Sequence, residues 1–320
     1  MTREEYNRYT ADYLNALHSL KKSPRTVENY KRAMRAFGES LDEQRQEITP
    51  LAVSAWRNQL SASGIKSNSV KQYMVNLHTF FAWCGRMKLI DHNPVMTEDM
   101  PKPDPIEYDL LTYDEIQTLL REKPKGIFSK TACRNRAIVV LLIQTGLRNS
   151  ELRNLRPCDL DFENSTVTVK HGKGNKSRTA PFPNLAKEAV SEYLASGIRP
   201  AWTTETDFLF GTDADENGKS TDGREWHEIS SPALLTMINR YTKRACGHKV
   251  GVHTLRHAAA SMWDDMGAEM RTIQNALGHA SVATTERIYV SVLNKAKAAH
   301  SINDIMNRPT RGNGHPCPAP

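Results

Sequence analysis

Two arginines, a lysine, several histidines and one phenol recur in four short segments of this chain. They are Thr145-Gly146-Leu147-Arg148-Asn149-Ser150-Glu151-Leu152, the turn Gly172-Lys173-Gly174, His253-Thr254-Leu255-Arg256-His257, and Leu277-Gly278-His279 running on to Tyr289. Together they are the groups that attack on a phosphodiester needs. A guanidinium fork matches the non-bridging oxygens of a phosphate and disperses the charge that builds on them. A phenol can serve as the covalent nucleophile. No acidic cluster suited to metal ions accompanies these segments, so the positive charge is expected from side chains, with no metal site and no cofactor.

The local settings support those roles. Arg148 follows a glycine that ends an apolar helix, which gives its side chain a rigid base, and Glu151 is placed to fix the guanidinium by an ion pair. His253 and Arg256 are three residues apart at a helix start and share a face, with His257 beside them. An arginine there reinforces the anion attraction of free helix N–H groups. Lys173 sits between two glycines at a hairpin tip, so a flexible chain can carry its ammonium into a site. His279 follows the helix-ending Gly278, and Tyr289 lies among Val282, Ile288 and Val292, which suggests partial burial.

These residues need a folded frame, and the chain can supply one. It has 320 residues, 39% hydrophobic and 25% charged, which reads as folded and globular. No apolar run approaches the ~20 residues of a membrane span, and the N-terminus lacks the apolar core of a signal peptide. A cytoplasmic protein is therefore expected, associated with the nucleoid in a bacterium and with no membrane partner. Cys84, Cys133, Cys158, Cys246 and Cys317 form no CxxC pair and are odd in number, which favours reduced thiols. Net charge is +7, which fits a polyanionic partner.

Two lobes are expected. Residues 1–100 read as a bundle of four helices. A capping box, Thr2 with Glu5, precedes Tyr6, Tyr13, Leu14 and Leu17. Ser23-Pro24 opens a second helix carrying Val27, Tyr30, Met34 and Phe37 on one face. Lys21, Arg25, Arg32 and Arg35 fall broadly opposite and form a candidate face for tracking DNA phosphates. Thr49-Pro50 opens a third helix, Ser67 or Asn68 starts a fourth, and Asn93-Pro94 stops it. Residues 101–111, with three prolines in Pro101-Lys102-Pro103-Asp104-Pro105, read as a stiff linker.

From 112 to 308 the pattern is mostly helical around a small antiparallel sheet. Thr112 to Glu115 is a second capping box, and Ala132 to Gln144 is apolar enough all round to be buried. Ser150 is placed to cap a short helix. Thr166 to Lys170 and Ser177 to Phe182 read as paired strands joined by the turn at His171 to Lys176. Helices follow near 186–195, 231–245, 253–266, 269–277, 284–290 and 294–307. Gly211 to Glu228 reads as a mobile surface loop, and residues 309–320 as a disordered tail.

The four segments, in this order and at these separations, resemble the signature of the tyrosine recombinases, the phage integrase family. The likeness covers nearly the whole chain. It implies a mainly α fold, with a four-helix SAM-like core-binding bundle, a linker and a catalytic domain. It implies a site-specific DNA recombinase that works through a 3′-phosphotyrosyl intermediate with neither ATP nor metal. By the same match Tyr289 is the nucleophile, Arg148 and Arg256 bind the non-bridging oxygens, and His253 and His279 add hydrogen bonds, with His253 available as a base. Lys173 protonates the leaving 5′-oxygen, while Glu151 and His257 support their neighbours. Double-stranded DNA is then the partner, met by a homotetramer on two sites. Each site holds a dimer coupled through the C-terminal helix 294–307.

One spacing departs from the family pattern. His279 and Tyr289 are ten positions apart, one more than is familiar. One residue turns a helical side chain by about 100°, so the intervening segment is expected to bulge or unwind. Because the chain begins almost at the first bundle helix, it resembles the simpler Xer-type or mobile-element enzymes more than lambda-like integrases. The rival readings are a type IB topoisomerase-like activity and a catalytically silent DNA-binding protein of the same fold.

Overall fold

The computed structural model describes residues 1–41, 47–97, 100–102, 104, 110–121, 129–170, 177–212 and 226–278. The chain divides into two compact units, residues 1–107 and 108–320.

The described residues of the first unit form four α-helices: α1 (Arg3–Ser19), α2 (Pro24–Ser40), α3 (Pro50–Ala62) and α4 (Ser67–Arg86). Their starts are written in the sequence. The Thr2/Glu5 capping box forms in both directions, Ser23 accepts from the Thr26 amide, and Thr49 accepts from the Ala52 amide, with proline in the first turn of α2 and α3. Tyr6, Phe37, Phe80 and Phe81 pack at the centre, with Tyr6 edge-on to Phe37 and Phe80 at 5.5 and 5.4 Å. The buried Tyr6 hydroxyl donates to the Met34 carbonyl at 2.8 Å, which satisfies its polar tip.

Two expectations for this unit need correction. Lys21 is not on α2 but in the turn before it, with φ at +52°. The fourth helix starts at Ser67, as expected, after an N-cap, Lys66, that makes no side-chain bond. That helix ends at Arg86, before Asn93. Asn93 instead accepts from the Val95 amide and donates to the His78 carbonyl, fastening the returning chain to α4. Arg25, Arg32 and Arg35 are exposed, and Arg35 pairs with Glu39 at 2.8 Å.

The second unit is built around α6 (Ser129–Thr145), where every side chain from Ala137 to Ile143 is buried. Onto it pack α5 (Tyr113–Arg121), α8 (Asn184–Ala195), α9 (Ser231–Cys246) and α10 (Val252–Asp265). The short α7 (Asn149–Arg153) follows α6, and α11 (Met270–Leu277) packs on α10. A three-stranded antiparallel sheet runs in order β1 (Leu160–Asp161), β2 (Thr166–Val169), β3 (Arg178–Pro181). Val167 faces Ala180 and Val169 faces Arg178 across β2 and β3. A mainly α architecture with a small antiparallel sheet is what the sequence led one to expect, β1 aside. The Gly211 to Glu228 loop is corrected at its ends, where β4 (Gly211–Thr212) pairs with β5 (His227–Glu228). Among the described residues, no helix is long and apolar enough to cross a membrane.

Candidate active site

Arg148 owes its place to the turn before it. The buried α6 stops at Thr145, and Gly146 takes a left-handed conformation with φ at +60° while its amide closes on the Leu142 carbonyl. A Cβ there would lie 2.7 Å from Leu277 Cδ2 and 3.3 Å from Trp263 Cη2. Glycine therefore serves both the backbone and the close approach of α10 and α11. Leu147 is fully buried, and Arg148 stands at the N-cap of α7. The expected serine cap is replaced: Ser150 lies within α7, and Glu151 accepts from the Arg148 amide at 2.8 Å.

Glu151 is the centre of the site. Its side chain is 2% exposed and accepts from Arg148 Nη1 at 2.6 Å and from Arg178 Nη2 at 2.7 Å, while Arg256 Nη1 lies at 3.8 Å. Burial alone would raise its pKa. The Arg178 charge, then the Arg148 amide and guanidinium, overcome burial and hold the carboxyl below its ordinary value. One buried carboxylate thus collects three guanidinium groups that would otherwise repel one another.

Arg256 is buried on the first turns of α10 and donates to the Gly146 carbonyl at 2.5 Å and the Leu277 carbonyl at 2.6 Å. His253 lies one turn earlier on the exposed side of the helix start. Desolvation, then the Arg256 and Arg148 charges, lower its pKa. His257 is pulled down to about 4 by burial first, then by His253 and Arg256. Both imidazoles are therefore biased toward the neutral form, which can accept a proton.

The three arginines close on one helix end. Arg178 Nη1 donates to Ala276 at 2.5 Å, Arg256 to Leu277 at 2.6 Å, and Arg148 Nη2 to Gly278 at 2.5 Å. Three consecutive carbonyls at the C-terminus of α11, the negative end of its dipole, each meet one guanidinium. Gly278 is left-handed with φ at +65°, and a Cβ there would lie 2.6 Å from Arg178 Cδ. Among the described residues Arg148 spends two of its five N–H groups on these bonds, with its side chain 22% exposed.

The structure therefore brings together Arg148, Glu151, His253, Arg256 and His257. Lys173, His279, Tyr289, the ten-residue His279–Tyr289 interval and the 294–307 helix lie outside the described residues. Lys21, Arg25, Arg32 and Arg35 belong to the other unit. Among the described residues, no group of three His, Cys, Asp or Glu side chains is disposed to hold a metal ion. Arg178 is a residue of this cluster that the sequence did not single out. The missed signal was strand alternation, which puts residues 178 and 180 on the same face as the buried Val167 and Val169.

A buried carboxylate gathers arginines at the joint of three helices, in a helical domain with a small sheet. The profile of the Phage integrase family matches residues 109–296, and that of the phage integrase N-terminal SAM-like domain matches residues 11–88. The chain belongs to the phage integrase family and is a tyrosine recombinase. It is 31% identical over 278 residues to the tyrosine recombinase XerA of Pyrococcus furiosus, covering 86% of this chain and 86% of the relative. It is 30% identical over 275 residues to the tyrosine recombinase XerC of Anoxybacillus flavithermus, covering 83% and 87%. In fold it is similar to the Tn1549 transposon integrase in complex with transposon right end DNA, with a TM-score of 0.70 at 18% identity over 94% of this chain and 99% of that one. A lambda integrase dimer bound to a core site matches with a TM-score of 0.64 at 19% identity, over 86% and 95%.

Proposed function

We propose that this recombinase cuts and rejoins double-stranded DNA at a defined site, with Tyr289 as nucleophile. The phenolate oxygen attacks the scissile phosphorus, and the bond from phosphorus to the 5′-oxygen breaks. The products are a 3′-phosphotyrosyl bond and a free 5′-hydroxyl. The phenol proton passes to a neutral imidazole, His253 being suited to take it, and Lys173 supplies a proton to the departing oxygen. Arg148 and Arg256 bind the non-bridging oxygens, His279 adds a hydrogen bond, and Glu151 and His257 support them. A 5′-hydroxyl from a second strand then attacks the phosphotyrosyl bond and releases Tyr289 in a rejoined strand. The phosphoester is exchanged, so its energy is conserved.

The observation that carries this reading is the joint anchoring of Arg148 and Arg256, on Glu151 and on adjacent carbonyls of α11. Guanidinium groups held this way need little reorganisation when charge develops on a phosphate. Four protomers on two sites, a dimer on each, would exchange strands in pairs, with the 294–307 helix joining neighbours. The exposed Arg25, Arg32 and Arg35, with Lys21, would meet DNA phosphates, and residues 1–100 and 112–308 would act as core-binding and catalytic domains joined by 101–111.

The test begins with a target site selected by repeated binding from random duplexes. A nicked version of that site, losing a short strand on cleavage, should trap wild-type protein as an adduct stable in denaturant. Tyr289→Phe should bind the duplex and give none. Binding without any wild-type adduct would favour a silent DNA-binding protein, and relaxation of plasmid lacking the site would favour a topoisomerase.

A further inference from the structure

We propose that Arg178 is a positioning residue of this site, fixing Glu151 and, through it, the Arg148 guanidinium against the C-terminal turn of α11. The inference rests on the recombinase reading and adds a residue to it. Arg178 opens β3 on the face it shares with Ala180, so the sheet directs its side chain inward. One end group donates to the Ala276 carbonyl at 2.5 Å and the other to Glu151 Oε2 at 2.7 Å. Its Nε is buried and finds no partner among the described residues, a cost that its other two bonds must offset.

The two oxygens of Glu151 divide their work. Oε1 holds Arg148 Nη1, while Oε2 accepts from the Arg148 amide and from Arg178. Without Arg178, Oε2 keeps the Arg148 amide at 2.8 Å and the more distant Arg256 Nη1 at 3.8 Å but loses its 2.7 Å guanidinium bond, which loosens the carboxylate and the Arg148 side chain it holds. Arg178 spends one end group on Glu151 and the other on the Ala276 carbonyl, so its two bonds tie the carboxylate to α11. Gly278 belongs to the same device: a Cβ there would lie 2.6 and 2.9 Å from Arg178 Cδ and Nε. The glycine that leads to His279 is thus also the one that admits Arg178. A lysine could reach Glu151 but could not bridge it to α11 with two parallel donors.

The experiment uses the full chain, single-turnover adduct formation on the nicked target site, and duplex affinity measured in parallel. Arg178→Met, which keeps the aliphatic stem, should slow cleavage roughly a hundredfold, the scale of a 1 Å misplacement, with affinity within about threefold. Arg178→Lys should recover part of the rate. On an Arg148→Ala background, Arg178→Met should cost almost nothing further, since the group it positions is gone. A full additional loss there, or wild-type cleavage by Arg178→Met, overturns the proposal. Glutamate labelled with ¹³C at the carboxyl gives a reading independent of activity. Glu151 should titrate at higher pH in Arg178→Met than in wild type, and an unmoved midpoint also overturns it. Wild-type protein that binds but forms no adduct would sink the recombinase reading, while the labelled carboxyl would still decide whether Arg178 holds Glu151.

Discussion

Glu151→Gln removes one charge from the centre of the arginine cluster and almost no volume. The carboxylate has two short charge-assisted bonds, 2.6 Å to Arg148 and 2.7 Å to Arg178. Glutamine keeps one acceptor but turns its amide N–H groups toward the other guanidinium. Breaking one side of a buried ion pair costs about 3–5 kcal/mol, and losing either bond alone about 1.5–3 kcal/mol. We expect about 3–5 kcal/mol at pH 7, a fall of roughly 6–20 °C in Tm for a unit of this size. The pH dependence follows from the direction of the shift. Glu151 has a folded pKa below its ordinary 4.5, so its contribution is complete above that value and is lost as pH falls through the folded pKa. The gap between wild type and variant should be level from pH 6 to 8 and close in acid. Amide exchange in α10, read by mass spectrometry in the full chain, measures that gap where it arises. A loss under about 1 kcal/mol at pH 7, or a gap that persists in acid, would refute the reasoning.

Gly278→Ala must place a Cβ 2.6 Å from Arg178 in a left-handed backbone, costing about 1–2 kcal/mol for the backbone alone and more for the displaced arginine; thermal melts should show it, and an unchanged Tm would contradict the packing. His257→Asn should flatten the acid limb of the stability curve. The wild-type histidine, depressed to about 4, is a group the unfolded chain protonates first, so stability falls between about pH 6.5 and 4. Urea melts across that range that superimpose for the two proteins would count against it. Tyr6→Phe removes the hydroxyl's bond to the Met34 carbonyl in the first unit and should cost about 0.5–1.5 kcal/mol, seen as earlier urea unfolding of residues 1–107; an unshifted midpoint would deny that bond a role.

Much of this was legible because local chemistry and tertiary structure agree. The Thr2/Glu5 box, Ser23-Pro24 and Thr49-Pro50 start helices where they stand, and the apolar run of α6 is buried throughout. The Arg148–Glu151 pair could be read from its spacing and forms at 2.6 Å. What could not be read depended on distant partners. Arg178 meets Glu151 and Ala276, far off in sequence, and no local rule separates it from an ordinary turn cation. The ends of the Gly211 to Glu228 loop pair with each other, a long-range contact that polar composition hides. Ser150 has the chemistry of a cap, but Glu151 reaches the Arg148 amide first.

The most direct test of the account is the identity of the residue that joins DNA. Digesting the trapped adduct with protease and nuclease leaves one peptide carrying a nucleotide 3′-phosphate, and fragmentation mass spectrometry locates it. The account predicts the modification on Tyr289 alone, formed far more slowly with Arg148→Ala or Arg256→Ala and lost with Tyr289→Phe. A nucleotide on any other side chain, or an adduct that forms at the wild-type rate without both arginines, would contradict it.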